Sequence, residues 1–261
     1  MNIGFEKTMM DWAFQFFNHS DYLNLYSDMT NPYRTQIELD FCERVLGWSQ
    51  EQTILDAPCG AGRHSLELAG MGYRVIGLDF SDYLLQQAQN RWKVTRVSPE
   101  YPAFVQGNLL TLPFQPNSFD HIICLFTSFG YGDNLEENLQ VLREFHRVLK
   151  PGGKALIDVM NRLYIVPLLN RVYQSVQNGL RVREERTITN HGRRLHNVIT
   201  VWDQKNHQRQ YLYNPWMFNG WELSWMANQV GLKTEAIYGD FQGKKYHEDS
   251  ERAMLVAVKE G

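Results

Sequence analysis

The chain is poor in the features that would tie it to a membrane, an oxidising compartment or a polyanion. Nowhere do about 18 apolar residues run together without a charge, so no membrane-spanning helix is expected. The start, Met1-Asn2-Ile3-Gly4-Phe5-Glu6, lacks a basic segment followed by an apolar run, and no secretion signal is expected. Cysteine is scarce: Cys42, Cys59 and Cys124 are odd in number and widely spaced. That argues against a disulfide framework and for reduced thiols in a cytoplasm. His191, His196 and His207 stand in or near turns without the spacing of metal ligands, and no metal is assigned. Charge of one sign is not in excess, since 26 Lys and Arg face 29 Asp and Glu for a net −3. Such a chain has no global attraction for nucleic acid or anionic lipid, and neither partner is expected. Oligomeric state leaves no mark in the sequence.

What is present is globular. A chain of 261 residues, 43% of them hydrophobic, can bury one large core or two modest ones. No repeat, low-complexity tract or long linker divides it, so residues 1–261 are expected to form a single domain. Its organising stretch is Thr53 to Ala69. Ile54 and Leu55 form the short apolar run of a strand buried on both faces, and Leu66, Leu68 and Ala69 begin an amphipathic helix. Between them Gly60 and Gly62 allow a tight turn that a ligand can approach closely, below the unpaired N–H groups of the helix start. The next apolar run, Tyr73 to Leu78, ends on Asp79, 19 positions after Gly60. That is close to the roughly 20 residues between a glycine turn and an acid that accepts from ribose hydroxyls. A dinucleotide fingerprint needs a third glycine where this chain has Ser65, which makes a nicotinamide dehydrogenase the weaker reading.

Asp56-x-x-x-Gly60-x-Gly62 resembles the first motif of class I S-adenosylmethionine-dependent methyltransferases. The resemblance continues in order through Tyr101 to Val105 with Gly107-Asn108-Leu109, Leu112-Pro113-Phe114, Phe119 to Phe126, and Leu149-Lys150-Pro151-Gly152-Gly153 before Ala155 to Val159. It covers residues 53 to 160, and Pro58 to Ser65 with Phe126 to Tyr131 resemble a bacterial subgroup acting on small molecules. It implies a doubly wound, mostly parallel seven-stranded α/β sheet with its last strand antiparallel, a helical N-terminal cap and an antiparallel β insertion. It also implies S-adenosylmethionine as cofactor, held by Asp56, Pro58, Gly60, Gly62, Asp79, Phe80, Asn108, Leu109, Leu125 and Phe126. Where the family usually has an acid, Asn108 offers a carbonyl acceptor and an NH₂ donor, so adenine recognition must be reassigned.

The flanking segments fit this plan. Thr8 to Asp28 and Gln36 to Leu46 read as a helical cap (1–48) before the cofactor-binding core (49–160). Tyr164 to Val176 looks helical, and three alternating segments, Leu180 to Thr189, Leu195 to Asp203 and Gln208 to Asn214, read as an antiparallel insertion within 161–218. A helix over Trp221 to Val230 and strands over Lys233 to Tyr238 and Ala253 to Val258 complete 219–261.

Methyl transfer from a sulfonium needs acceptor alignment and water exclusion more than a strong base, consistent with the lack of a readable nucleophile–histidine–acid constellation. The acceptor side is therefore assigned from placement. Thr127, Ser128 and Tyr131 follow the fourth strand and Asn161 the fifth. Arg183, Arg186, Tyr211 and Tyr213 on the insertion are taken as one polar, aromatic face. The alternative function is a regulatory or scaffolding module that binds the cofactor without transferring its methyl group.

Overall fold

The structure, a computed structural model, describes residues 11–95 and 100–261. The part of the expected cap over Thr8 to Met10 and the chain start lie outside the described residues. Helices α1 (Asp11–Phe17) and α2 (Ser20–Tyr26) lead through a 3-10 turn (Ser27–Thr30) into α3 (Pro32–Leu46). Asn31-Pro32 starts α3: the Asn31 side chain caps the amide of Arg34 and Pro32 occupies the first turn, where its missing N–H costs nothing.

Strand and helix then alternate: β1 (Thr53–Asp56), α4 (Arg63–Gly70), β2 (Arg74–Asp79), α5 (Asp82–Thr95), β3 (Ala103–Gln106), β4 (Phe119–Cys124), α6 (Leu135–Val148) and β5 (Leu149–Met160). After α7 (Arg162–Leu168) come β6 (Val172–Gln177), β7 (Leu180–Thr189), β8 (Arg194–Trp202) and β9 (Gln208–Tyr213), then α8 (Gly220–Gln229), β10 (Leu232–Tyr238) and β11 (Arg252–Lys259). The large sheet has the order β10-β11-β5-β4-β1-β2-β3. Its strands β3, β2, β1, β4 and β5 are parallel, and β11 runs antiparallel to both β5 and β10. This is the doubly wound α/β fold with a reversed last strand that the sequence predicts.

Alternation along each strand feeds two cores. In β1, Ile54 enters the layer built with Leu39 and Phe41 of α3 and Leu68 of α4, whereas Leu55 enters the layer with Phe145 of α6 and Leu223 of α8. Burying each such side chain contributes about 1.5–3 kcal/mol, so a strand apolar on both faces pins helices to both sides.

The second sheet differs from expectation in one strand. Residues 172–177, read as the end of a helix, pair antiparallel with β7, giving four strands in the order β6-β7-β8-β9. Helix α7 stops at Leu168 with Pro167 inside its last turn, and Val172, Tyr173 and Val176 then suit an extended chain. The inner face of this sheet packs on α1: Val182, Ile199, Val201 and Tyr211 share a cluster with Trp12, Phe16 and Phe17. One buried ion pair ties the two together, since Asp21 of α2 accepts from Arg209 Nε at 2.7 Å and from the Tyr211 hydroxyl at 2.8 Å.

Candidate active site

The glycine turn is built by the residues around it. Asp56, at the end of β1, is fully buried, and its Oδ2 accepts a 2.6 Å bond from Ser65 Oγ. Ser65, which disqualified a dinucleotide fingerprint, thus fastens this acid to α4. Gly60 and Gly62 adopt φ of +56° and +75°, the left-handed region that favours glycine. A Cβ on Gly62 would lie 2.8 Å from Phe104 and 2.9 Å from Ala88, so close packing of α4, β3 and α5 demands that glycine. A Cβ on Gly60 would meet nothing within 4 Å, so there the turn is open to a ligand. Pro58 stands half-buried in the same turn.

Asp79 closes β2 and accepts from the amides of Gly60 at 2.8 Å and Ser81 at 2.9 Å. Burial raises its carboxyl to about 6; those amides pull it down, and Asp56 adds to the rise. Among the described residues no cation pairs with it, which suits a carboxylate that accepts from hydroxyls. Phe80 follows it and packs against Phe17. Past β3, Asn108 Oδ1 accepts from Leu110 N at 2.9 Å and so shapes its own turn, which points adenine recognition toward its NH₂. Leu109 is half-buried against the α6 core. Leu125 departs from its expected place: its side chain is buried in the α3–α4 layer, because strand alternation sends it there with Ile123.

The loop after β4 carries backbone strain at two consecutive residues. Phe126 and Thr127 have φ of 60° and 59°, which costs of order 1–3 kcal/mol per non-glycine residue. A buried pair on the adjoining strands holds it. Asp158 of β5 accepts from Phe126 N at 2.9 Å through Oδ2 and from Thr127 N at 3.0 Å through its carbonyl. Arg252 of β11 forks onto both oxygens of Asp158 and donates to Thr127 Oγ1 at 3.1 Å. Thr127 Oγ1 also accepts from Met160 N, so this expected acceptor contact is largely occupied by scaffolding. Asn161 is likewise consumed: it caps α7, donates to the carbonyls of Glu248 and Ser250 and accepts from Tyr246. It does not belong to the acceptor side.

Two guanidinium groups, Arg63 at 5.4 Å and Arg34 at 5.6 Å, lie over the Phe126 ring. Both are tied to Glu38 of α3, at 2.5 Å from Arg63 and 2.9 Å from Arg34, and His64 lies 2.8 Å from the same carboxylate. Burial opposes ionisation of Glu38, but the hydrogen bond from His64 and the charges of His64 and Arg63 outweigh it and hold the group at about 2. Nη2 of Arg63 is buried without a partner.

Opposite this edge lies an aromatic wall. Tyr131 stacks on Phe17 at 5.6 Å and meets Trp12 and Tyr213 edge-on, while Tyr26 meets Phe126 edge-on at 6.1 Å. Burial raises the phenols of Tyr22, Tyr26, Tyr131 and Tyr213, so they stay protonated at neutral pH, with Tyr131 hydrogen-bonded to Tyr213. Ser128 is half-buried in the loop that leads to Tyr131. The insertion residues divide. Arg186, Tyr211 and Tyr213 share the inner face of the small sheet, but Arg183 is three residues from Arg186 and so falls on the outer face, paired with exposed Glu185. Arg186 pairs at 2.8 Å with Glu184.

Comparison with known proteins agrees with this geometry. Residues 54–153 match a family model described as a methyltransferase domain. The chain is 40% identical over 108 residues to the demethylmenaquinone methyltransferase of Lactococcus lactis, covering 40% of each protein. It is 36% identical over 158 residues to the 2-phytyl-1,4-naphtoquinone methyltransferase of Nostoc punctiforme, covering 55% of this chain and 66% of that protein. The chain thus spans between 40% and 66% of the length of these curated relatives. The CcbJ methyltransferase from Streptomyces caelestis superposes with a TM-score of 0.79 over 94% of this chain and 98% of its own, at 18% identity, so it shares the fold. Residues 54–153 thus match a methyltransferase domain, and the chain shares the fold of solved methyltransferases.

The residues present fit S-adenosylmethionine as a cofactor. Open space above Gly60, the helix-start amides and the unpartnered Nη2 of Arg63 suit an amino-acid carboxylate. Asp79 suits ribose hydroxyls, and Asn108 suits adenine.

Proposed function

We propose that this protein transfers a methyl group from S-adenosylmethionine to an O, N or C nucleophile of a small-molecule acceptor. The observation that carries the reading is the strained Phe126–Thr127 loop, clamped by Asp158 and Arg252 and facing an aromatic wall at the strand ends beyond the glycine turn. The cofactor, when bound, supplies the electrophilic methyl group. The chain's own residues do the rest. Asp79, the turn amides and Asn108 hold the nucleoside, while Phe126, Tyr26, Tyr131 and Tyr213 exclude water and orient the acceptor. No strongly basic side chain is assigned. His121 is buried on the opposite half of β4, beside Gln52, where burial lowers it to about 4.

The whole chain is read as one domain whose insertion, residues 161–218, covers the acceptor. A cytoplasmic setting goes with the three buried free thiols. Among the described residues no helix is long and apolar enough to cross a membrane. The names of the relatives make naphthoquinone-derived acceptors the first class to assay. The test is incubation with methyl-labelled cofactor and either demethylmenaquinone in its reduced form or a metabolite extract, followed by mass spectrometry. A labelled product is expected. Tight cofactor binding without any labelled product would favour the regulatory module instead.

A further inference from the structure

We propose that Glu184 and Asn197, on the inner face of the small sheet, select acceptors that carry a hydrogen-bond donor, a hydroxyl or an amine, beside the methylated atom. The inference rests on the methyl-transfer reading above. Asn197 is 3% exposed, and its Nδ2 donates to Glu184 Oε2 at 2.6 Å. That bond fixes the amide, because the reverse orientation would set two oxygens against each other. The other end of the amide, Oδ1, is buried without a partner. Half-buried Glu184 lies beside it. Its Oε2 receives Asn197 and both Nε and Nη2 of Arg186, at 3.1 Å and 2.8 Å, whereas Oε1 has no partner among the described residues. Asn197 Oδ1 is therefore a buried acceptor left over beside an unpaired carboxylate oxygen, and native interiors rarely leave a buried acceptor unmet.

Their position over the strand ends follows from the pairing. The inner face of β8 reads Leu195, Asn197, Ile199 and Val201. Leu195 borders a small cavity with Thr127, Met160 and Tyr213, and Ile199 joins the Phe16 cluster, so Asn197 lies between the clamped loop and α1. Its cross-strand neighbours are Arg186 and Tyr213. The phenol of Tyr26, which meets Phe126, feels the charges of both Glu184 and Arg186. An acceptor held against Phe126 and Tyr26 thus brings its flank to Oδ1 of Asn197 and Oε1 of Glu184. A flank with a donor satisfies Asn197 Oδ1; one without leaves it stranded, and sites of this kind reject donor-free analogues strongly.

The test uses the full chain saturated with S-adenosylhomocysteine and two probe pairs. These are 1,4-dihydroxynaphthalene with its dimethyl ether, and 2-naphthylamine with its N,N-dimethyl derivative. Calorimetry should give at least about tenfold tighter binding for the donor-bearing member of at least one pair. Asn197→Leu, Asn197→Ser and Glu184→Gln should shrink that gap, while Arg181→Ala on the outer face keeps it. Equal affinity within both pairs, including no binding of any member, would overturn the proposal. So would a gap that persists in folded Asn197 variants. Nucleoside affinity is measured first in every protein: its loss in a variant reports misfolding, and its absence from the wild type would sink the methyltransferase reading instead.

Discussion

The two edges that face each other across the strand ends are built on different principles. On the cofactor edge the contacts come from backbone amides and from acids at the ends of consecutive parallel strands, within Asp56 to Asn108. On the acceptor edge they come from side chains of α1, α2, the loop after β4 and the small sheet, with Asp21 reaching 188 positions along the chain to Arg209. The first edge is set once the sheet forms. The second exists only when the insertion docks on the N-terminal helices. Recognition of an invariant nucleoside can therefore stay fixed while the acceptor side varies by changing side chains.

The most severe test of that contrast is Glu38→Ala, which removes the anion that holds Arg63 and Arg34 over the Phe126 ring and that pairs with His64. Unpairing buried charges of this kind costs about 3–5 kcal/mol, to be read by urea denaturation. A loss below about 1 kcal/mol would mean the cofactor edge does not depend on that pair. The sign with pH follows from the depressed group. Glu38 contributes stability above its ordinary range near 4.5, and that contribution fades as pH falls toward about 2.

Asp79→Ala should weaken cofactor binding by about 1–3 kcal/mol in calorimetry while the domain stays folded, as for a lost charge-assisted hydrogen bond. An unchanged dissociation constant would reduce Asp79 to a strand end. Arg252→Lys keeps the charge beside Asp158 but loses the fork that reaches Thr127. Turnover should fall about tenfold with cofactor affinity within about twofold, because a small shift of the loop misaligns the acceptor without touching the nucleoside. Equal losses in both would show that the loop serves the cofactor. The smallest effect is in pH. Burial holds the Asp79 carboxyl at about 6 in the free protein, and protonation weakens its oxygens as acceptors from the ribose hydroxyls. Cofactor affinity should be flat above about pH 7 and fall below 6 by up to about tenfold per unit, and Asp79→Asn should flatten the curve.

Much of the cofactor edge was legible because its requirements are local. A glycine turn needs glycine at Gly60 and Gly62, and a parallel strand delivers its last acid to the ligand. Where reading failed on this edge, strand parity was the cause, as with Leu125. The acceptor edge was legible only as a location. Arg183 and Arg186 looked equivalent as charges in one run, but an odd separation along a strand sends them to opposite faces. The signal that could have found the loop clamp was an acid, Asp158, inside the otherwise apolar run Ala155 to Met160. Nothing in Phe126-Thr127 announces a left-handed backbone, since that conformation is imposed by neighbours distant in sequence.

The sequence by itself thus determined the alternation of strand and helix, the glycine turn and the acids that flank it, because periodicity and glycine act within a few residues of one another. Tertiary structure alone decided that 172–177 is a strand, that Asn161 and the Thr127 hydroxyl serve the scaffold, and that Glu184 and Asn197 share a buried cluster. Those outcomes depend on register, on strand parity and on which segments meet in space, and the energies that set them appear only when the surfaces are buried together.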